Sequence, residues 1–318
     1  MNYKKSYEEF RKYLNRYRRV TIISHQRPDG DTIGSALALY NSLKCEGISS
    51  ELVCVDSPPV KFNFLKGFER FKKSISYKDS LIITLDCAEP KRFVFDVSNR
   101  ELINIDHHIS NTMFGDLNIV EKEVSTSVVL YKLLKEGFCI NADVANALYT
   151  GLVSDSQNFT TSLTTKESFI IASELLEKGA SLQEVVNRVN RYNSLAHIRV
   201  LGRAIDSLRL YIDGEVAIMQ ITKDDIKATG ATFGDIDGVI DSAISLATVD
   251  IAVLIVEYED FLKVSLRSKN ANVSKLASLF GGGGHKNASG FEVKDVKIEE
   301  LKYDILDKLK DILNVKKR

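Results

Sequence analysis

Acidic and histidine residues follow three separate apolar runs of this 318-residue sequence. Run 20–23 is followed by His25, Asp29 and Asp31, run 81–85 by Asp86, and run 102–105 by Asp106, His107 and His108. Short apolar runs are typical of buried strands, and an open α/β sheet binds ligands at the carboxyl ends of its strands. Imidazole and carboxylate together suit Mn, Zn, Fe or Co, whereas Mg prefers oxygen alone. The pattern therefore predicts a metal site at one edge of a sheet.

Asp155 adds a further carboxylate after the apolar segment 147–154. Carboxylates packed together without cations would repel one another and raise one another's pKa. Two divalent ions would neutralise four such groups, and two ions about 4 Å apart are the arrangement used for in-line phosphoryl displacement. The residues predicted to bind two ions are His25, Asp29, Asp31, Asp86, His107 and Asp155.

Several of these residues also have a purely structural interpretation. Asp29 could be a turn residue, Asp31 the N-cap of a helix, and Asp155 a turn residue after a helix. Their occurrence together, next to buried-type runs, favours the metal site over these separate interpretations.

The composition is that of an ordinary globular protein and restricts the classes of partner. Hydrophobic residues make up 44% of the chain and charged residues 27%, while 43 basic residues balance 43 acidic ones. A formal charge of zero argues against a sequence-independent binder of long or duplex nucleic acid, which would carry a basic surface. A local basic groove for a short anionic substrate is still compatible with this balance.

The cysteines, the N-terminal segment and the hydropathy together predict a cytoplasmic location. Cys45, Cys54, Cys87 and Cys139 form no Cys-X-X-Cys pair, and we expect unpaired, buried residues in a reducing compartment. Segment 1–19 is charged and lacks the apolar region of a signal peptide. No apolar stretch approaches the length of a membrane span, so we expect no membrane partner. The basic residues 316–318 are interpreted as a frayed tail.

Strand-like and helix-like segments alternate up to about residue 159, which favours a mostly parallel sheet. The predicted strands are 20–24, 50–55, 81–85 and 102–105, and the predicted helices are 6–17, 31–44, 124–135, 143–153 and 165–178. A polar helical stretch follows, from 180 to about 205. After it, Asp213-Gly214 and Glu259-Asp260 each separate two apolar strand-like segments, which indicates hairpins. Further helices are predicted at 235–247, 273–280 and 298–313.

The predicted fold class is α/β, with a mostly parallel sheet in an N-terminal domain and a smaller α+β C-terminal domain with a mixed or antiparallel sheet. We place a metal-binding domain at 1–185, a helical connector at 186–205 and a second domain at 206–318.

Four blocks of the first domain resemble the DHH phosphoesterase superfamily: SHQRPDGD, LDCAE, DHH and GLVSDSQNF. LRS and GGGGHKNASGF resemble the DHH-associated domain that follows in this superfamily. The ordered set covers nearly the whole chain and is far more specific than any one block. It is similar to the stand-alone nanoRNase and pAp-phosphatase type. That resemblance implies an enzyme that degrades very short oligonucleotides and dephosphorylates 3′-phosphoadenosine 5′-phosphate, usually with Mn²⁺.

The resemblance also implies a role for each motif residue. His25 and Asp29 would bind one metal ion and Asp31 the other, Asp86 would bridge both ions, and His107 and Asp155 would be the remaining ligands. His108 would contact the scissile phosphate, so that His108 and Asp86 are the residues on which catalysis depends most directly. Asp106 would hold a histidine tautomer by a hydrogen bond. Arg92 could reach the leaving group, although a solvated loop arginine is the simpler interpretation.

The glycine run 281–284 has two interpretations. Glycine-rich segments are often flexible linkers, but here an apolar helix-like segment precedes the run and a strand-like one follows it. Backbone amides without side chains can instead form an anion-binding nest. The resemblance implies that the domain at 1–185 is catalytic and that the domain at 206–318 binds substrate, through Arg267, Ser268, Gly282, Gly283, Gly284 and His285. Because these groups lie on a separate domain, we expect a cleft between the domains, with substrate lying in it.

The leading hypothesis is a dinuclear-metal phosphoesterase that uses a metal-activated water on short oligoribonucleotides, linear dinucleotides such as pApA, or 3′-phosphoadenosine 5′-phosphate. A cyclic dinucleotide phosphodiesterase acting on cyclic di-AMP is the alternative. Inorganic pyrophosphatase is less favoured, because the second domain of that relative lacks the GGGGH loop. A processive single-strand exonuclease is less favoured because the chain is short and neutral and shows no additional DNA-holding module. From another class, a non-catalytic nucleotide- or RNA-binding protein stays open. A homodimer is a further expectation.

Overall fold

The computed structural model describes residues 2–314 of the chain, so the basic tail at 316–318 lies outside the described residues. The chain divides into two compact units, the first ending at Tyr192 and the second beginning at Asn193. Within the described residues, none of the helices combines the length and the apolar character needed to cross a membrane.

The first unit contains one parallel sheet. Its strands are β1 (Arg19–Ser24), β2 (Ser49–Val53), β3 (Phe71–Lys72), β4 (Leu81–Leu85), β5 (Leu102–Asp106) and β6 (Leu117–Val120). They lie in the order β3-β2-β1-β4-β5-β6, and every neighbouring pair is parallel. The parallel sheet predicted from the sequence is confirmed. β3 and β6 are short strands that the apolar pattern does not indicate.

The helices of the first unit cover one face of this sheet. They are α1 (Tyr3–Arg16), α2 (Gly30–Cys45), α3 (Thr126–Leu134), α4 (Ala142–Asp155), α5 (Lys166–Glu177) and α6 (Leu182–Asn190). Val20 and Ile22 of β1 are fully buried in the helix-side core. Ile23 and Ile82 belong to a smaller cluster on the opposite face, where they pack with loop residues such as Phe93. Because both faces are covered, the strands carry the continuous apolar runs that the sequence shows.

The pairing of α2 with α4 depends on two glycines. A Cβ atom on Gly34 would lie 2.5 Å from the Ala147 carbonyl oxygen, and one on Gly151 would lie 2.6 Å from Asp31 Oδ1. Neither distance is possible for a real side chain, so the two backbones can approach this closely only at glycine. The close approach brings the first turn of α2 against the last turn of α4.

Two of the four cysteines form a disulfide, which corrects the expectation that all four are unpaired. Cys45 is bonded to Cys139 across 94 residues of sequence, while Cys54 and Cys87 are free and buried as expected. Cys45 ends α2 and Cys139 lies just before α4, so the antiparallel packing of these helices brings the two sulfurs together. The spacing along the chain gives no sign of this pairing, because it results from tertiary packing.

The second unit contains a mixed sheet. Its strands are β7 (Arg209–Tyr211), β8 (Val216–Ile221), β9 (Ile251–Glu257), β10 (Leu262–Ser268), β11 (Gly283–Gly284) and β12 (Ala288–Val293), in the order β11-β12-β10-β9-β8-β7. Only β8 and β9 are parallel. The hairpins predicted around Asp213-Gly214 and Glu259-Asp260 are confirmed, because β7 pairs with β8 and β9 with β10 in antiparallel fashion.

Two apolar layers lie on the two faces of the mixed sheet. Its helices are α7 (Leu195–Ser207), α8 (Lys223–Thr229), α9 (Asp241–Ile244), α10 (Val273–Leu279) and α11 (Ile298–Asn314). The single helix predicted at 235–247 is wrong. A 3-10 turn at Phe233–Ile236 and the one-turn α9 replace it, and Gly238 between them has a φ of 79°, which a continuous helix excludes.

Candidate metal centre

The sheet order places the ends of β1 and β4 side by side. After β1 the chain continues through α2 to β2, which pairs with one edge of β1. β4 pairs with the other edge of β1, and the chain continues from β4 to β5 in the opposite direction across the sheet. This is a topological switch point, where the loops leaving adjacent strands diverge and open a crevice. His25 follows β1 and Asp86 follows β4, so both lie at this crevice. Asp29 caps α2 there, accepting hydrogen bonds at 3.0 Å from the amides of Asp31 and Thr32.

The metal-ligating residues predicted from the sequence come together in three overlapping groups. Within each group the ligand atoms lie within 4.8 Å of one another: His25, Asp29 and Asp86; Asp31, His107 and Asp155; and Asp86, Asp106, His107 and His108. The first two groups contain all six residues that the sequence predicts as ligands. Asp86 connects them, because its Oδ2 lies 3.4 Å from His25 Nε2 and its Oδ1 lies 3.6 Å from His107 Nε2.

Asp86 lies in a strained backbone conformation. Its φ is 60°, in the left-handed region that costs a non-glycine residue roughly 1–2 kcal/mol. Its carboxylate is 3% exposed and lies 2.7 Å from the Thr32 hydroxyl and 3.0 Å from the Thr126 hydroxyl. The strain turns the carboxylate away from the strand direction and into the crevice, which is the use of backbone strain expected at a functional site.

The N-terminus of α3 holds the carboxylate of Asp31. The Thr126 amide donates to Asp31 Oδ2 at 2.6 Å and the Ser127 amide donates to Oδ1 at 3.0 Å. Asp31 is fully buried in the first turn of α2. Two unpaired helix amides and the helix dipole stabilise a negative charge at this point.

Hydrogen bonds from Nδ1 orient both histidines that follow β5. His108 Nδ1 lies 2.7 Å from Asp106 Oδ1, and His107 Nδ1 lies 3.1 Å from the Glu123 carbonyl oxygen. An acceptor at Nδ1 fixes the proton there, so that Nε2 carries the lone pair that a metal ion needs. His107 Nε2 lies 3.4 Å from Asp155 Oδ2, at the end of α4.

The carboxylates of the cluster differ in the direction in which their pKa values are shifted. Burial, together with the charge of Asp86, raises the pKa of Asp31 to about 7. Burial and the charge of Asp31 likewise raise the pKa of Asp155 well above its usual 3.8. Burial acts on Asp86 in the same direction, but the hydrogen bond from His25 and the charges of the nearby histidines hold its pKa well below the usual range. Full ionisation of these carboxylates would therefore place more negative charge in the cluster than its histidines neutralise.

This donor set fits two divalent cations. His25 and His107 each have Nδ1 next to a carbonyl acceptor and Nε2 next to a carboxylate, as metal-ligating histidines do. Burial and the neighbouring carboxylates raise the pKa values of Asp31 and Asp155 although His107 lies close to both, and divalent ions would supply the further positive charge that favours their ionised forms. Mixed imidazole and carboxylate ligands agree with a transition metal rather than Mg alone.

Sequence analysis missed the residues that position the ligands. Thr32, Thr126 and Ser127 contact the carboxylates of Asp31 and Asp86 but are not ligands themselves. Ser125 was the residue in the sequence that could have indicated them, because a serine immediately before an apolar run is typical of a helix N-cap. The N-terminus of α3 then provides the amides that lie beside the site. Arg92, interpreted as a solvated loop residue, has an exposed side chain, but its Nη2 lies 3.4 Å from His25 Nδ1.

The substrate-binding residues predicted in the second unit lie on β10, β11 and the turn that follows. Arg267 is half-buried on β10, opposite Ala288 of β12. Ser268 is buried, and its hydroxyl accepts hydrogen bonds from the amides of Asn270 and Ala271 at 3.1 and 2.6 Å. That hydroxyl therefore shapes the turn after β10.

The glycine run forms a hairpin rather than a linker. The amides of Gly281 and Gly282 donate to carbonyl oxygens at the end of α10, while Gly283 and Gly284 form β11 and pair with β12. A Cβ atom on Gly282 would lie 2.2 Å from the Gly290 carbonyl oxygen, so the tight packing requires glycine. His285 is exposed at the following turn.

Comparisons with known proteins agree with this division of the chain. The family model described as "DHH family, N-terminal domain" matches residues 19–152, and the model described as "DHHA1 domain" matches residues 213–315.

Curated relatives and a solved structure match over most of their length. The bifunctional oligoribonuclease and PAP phosphatase NrnA of Thermus thermophilus is 29% identical, over 92% of this chain and 90% of that protein. The protein of the same name from Bacillus subtilis is 27% identical, over 88% and 91%. An exopolyphosphatase-related protein from Bacteroides fragilis superposes with a TM-score of 0.90 at 28% identity and covers 98% of both chains. The chain therefore contains a DHH domain followed by a DHHA1 domain, the pair of domains of a metal-dependent phosphoesterase.

Proposed function

We propose that this protein hydrolyses short oligoribonucleotides, linear dinucleotides such as pApA and 3′-phosphoadenosine 5′-phosphate, with two Mn²⁺ ions. The observation that carries the proposal is the pair of ligand groups joined at Asp86, each with imidazole and carboxylate donors. Relatives named oligoribonuclease and PAP phosphatase over most of the chain support the substrate class. A phosphoester is also the substrate for which a dinuclear site is suited.

The first unit would hold the ions through six side chains. His25, Asp29 and Asp86 would bind one ion, and Asp31, His107 and Asp155 the other, with Asp86 shared. When bound, the ions supply Lewis acidity and lower the pKa of a water near them, so that hydroxide is available at neutral pH.

The protein's own groups orient the reaction. Asp106 holds Nδ1 of His108 at 2.7 Å, which fixes the imidazole for contact with a non-bridging phosphate oxygen through Nε2. Arg92 places a cation beside His25, and among the ion pairs of the described residues no carboxylate pairs with it. We assign Arg92 to contact with the leaving group of the substrate. In the second unit, Arg267, Gly283, Gly284 and His285 would bind the substrate nucleotide.

The experiment is a substrate panel with added Mn²⁺: 3′-phosphoadenosine 5′-phosphate, pApA, cyclic di-AMP and a 24-mer RNA, with products separated by ion-exchange chromatography. We expect phosphate or AMP release from the first two and little from the 24-mer. Release from the cyclic substrate alone would move the assignment to a cyclic dinucleotide phosphodiesterase. Release from none of the four, with the metal bound, would contradict the proposal and favour a nucleotide-binding protein.

A further inference from the structure

Helix α7 of the second unit has apolar residues on two opposite faces. One face carries Val200 and Ala204, which are fully buried in the apolar layer that includes the strands β8 and β9. The other face carries Leu195, Ile198 and Ile205, which are 64%, 50% and 51% exposed. A helix with apolar residues on both sides is typical of one that is covered on both sides. Within residues 2–314, only one of these two faces is covered.

The exposed apolar residues of α7 form a stripe rather than isolated contacts with solvent. Single exposed apolar side chains are common on protein surfaces and need no explanation. Positions 195, 198, 202 and 205 follow one another at intervals of three or four residues, so they lie along one side of the helix. A continuous apolar stripe of this kind marks an interaction surface.

Gly202 lies in the middle of the stripe. Glycine destabilises the interior of a helix relative to alanine, and none of the described residues has an atom within 4 Å of the Cβ position of Gly202. Packing within the chain therefore gives no reason for glycine at this position. Elsewhere the chain has glycine where two antiparallel helices cross closely, since a Cβ atom on Gly34 of α2 would lie 2.8 Å from the amide nitrogen of Gly151 in α4. By the same physical argument, Gly202 would allow another helix to approach α7 closely.

Two opposite charges lie along one side of the stripe. Arg199 and Asp206 are both exposed and lie about 10 Å apart along the helix axis, because two helical turns separate them. In the part of the chain that the structure describes, neither side chain has an ion-pair partner. A two-fold axis at Gly202 would place Arg199 of each of two copies beside Asp206 of the other. The same axis would place Ile198 beside Ile205 on the opposite side of the stripe.

We propose that the exposed face of α7 binds a second copy of this chain, with the two α7 helices antiparallel about a two-fold axis at Gly202. The glycines allow the backbones to approach closely, Ile198 of each copy packs against Ile205 of the other, and Arg199 pairs with Asp206. The face is thus complementary to itself in shape and charge, as a two-fold interface requires. Since one helix from each copy buries a small area, the dimer exchanges with monomer, with a dissociation constant on the order of 10 µM.

Sedimentation velocity of the full-length chain, at concentrations from about 1 to 200 µM, measures this association directly. We expect the sedimentation coefficient to rise with concentration from that of a monomer to that of a dimer. Ile198→Glu places a charge in the apolar contact, and Gly202→Leu fills the space between the two backbones. Each should raise the dissociation constant about tenfold or more. Leu279→Glu, at a side chain that is 63% exposed on α10, is the matched control and should dimerise as the wild type does.

Charge reversal tests the pairing of Arg199 with Asp206. Arg199→Glu and Asp206→Arg should each weaken the homodimer, because like charges then meet across the interface. Mixed in equal amounts, the two variants should form a heterodimer, since each changed residue then lies beside an opposite charge. Lys275→Glu, at an exposed side chain of α10, is the control for a change of net charge and should leave the association unchanged.

Three results would count against the proposal. A monomer at every concentration would overturn it and would assign the stripe to a different protein partner. A dimer that neither Ile198→Glu nor Gly202→Leu weakens would overturn it as well, because the copies would then associate through another surface. A dimer that neither charge reversal weakens would overturn the pairing of Arg199 with Asp206. Melting temperatures of dilute protein show whether each variant folds, and no readout involves metal or turnover, so the result is independent of the substrate panel.

Discussion

Carboxylates are buried in two regions of the parallel sheet. One region stabilises the ionised form of its carboxylate, whereas the other destabilises it. Glu51 of β2 lies on the face that the helices do not cover and accepts hydrogen bonds from the Thr21 hydroxyl at 3.0 Å and the Tyr77 amide at 2.9 Å. The Ser76 amide and Lys72 add further donors. Burial would raise the pKa of Glu51, but these donors outweigh it and hold the pKa below its usual 4.5.

At the carboxyl ends of the strands, acids outnumber the groups that could neutralise them. Asp31 receives two backbone amides, yet its pKa is raised to about 7, because it is fully buried and Asp86 lies close by. Glu51 shows that this fold can satisfy a buried carboxylate with its own donors. We therefore interpret the cluster at the strand ends as a region that cations from solution would complete, which would be the physical difference between a structural and a metal-binding acid.

The largest effect is expected where the two ligand groups join. Asp86→Ala removes the shared carboxylate and should lower kcat by more than about 1,000-fold with any substrate of the panel, because neither ion keeps its full ligand set. Asp79→Ala, an exposed carboxylate close to the amino end of β4, is the control and should keep wild-type turnover. Turnover within about tenfold of the wild type in a metal-saturated Asp86→Ala protein would remove Asp86 from the mechanism.

The excess of negative charge also predicts a pH dependence of metal binding. Asp31 has its pKa raised to about 7 and His107 to about 9, so both bind protons at neutral pH in the metal-free protein. Because ions compete with these protons, affinity for Mn²⁺ should rise at least about tenfold from pH 6 to pH 8. Calorimetry in buffers with different ionisation enthalpies should show proton release on binding. A pH-independent affinity with no proton release would mean that the cluster is not protonated as described.

Gly151→Ala tests the close packing that holds Asp31. The new methyl group would lie 2.6 Å from Asp31 Oδ1 and 2.7 Å from Ser127 Oγ. Overpacking of this kind costs roughly 1–3 kcal/mol. Because the displaced group is also a proposed metal ligand, we expect weaker Mn²⁺ binding together with a lower melting temperature. Gly202→Ala in α7 is the matched control, since nothing lies within 4 Å of its Cβ position. That variant should be neutral or more stable, because alanine favours a helix.

Much of the site could be predicted from the sequence because strand ends and metal chemistry are both local signals. The apolar runs before His25, Asp86 and Asp106 place their carboxyl ends at one edge of a sheet, and the structure brings those residues together. The structural alternative for Asp31, an N-cap, is wrong by two residues. Asp29, not Asp31, caps α2, and Asp31 lies inside the first turn, where α3 can reach it. Sequence spacing fixes the helix to within a turn but not the cap itself.

What could not be predicted depends on packing between distant segments. The Cys45–Cys139 disulfide and the contact of Thr126 with Asp86 join residues 94 and 40 positions apart. The short strands β3 and β11 contain two residues each, too few to show an apolar pattern, and each pairs with a longer neighbour.

Glu51→Gln tests the buried carboxylate that lies outside the metal centre. Of the variants considered, it should have the smallest effect on activity. The amide keeps the shape but loses the charge, and its NH₂ group faces amide donors, so we expect a loss of about 1–3 kcal/mol of unfolding free energy at pH 7, measured with urea. Activity and Mn²⁺ affinity should be unchanged. Glu69→Gln, at a side chain that is 70% exposed, is the control and should alter neither stability nor activity.

The pH dependence of that loss separates a charge effect from a packing effect. Because the folded protein lowers the pKa of Glu51 below 4.5, the stabilisation is fully present above that value and is lost as the pH falls through the lower pKa of the folded state. The difference in unfolding free energy between wild type and Glu51→Gln should therefore shrink as the pH falls below about 4.5. A difference that stays constant from pH 7 to pH 3 would mean that Glu51 acts through shape alone. The contrast between a satisfied and an unsatisfied buried carboxylate would then lose its electrostatic basis.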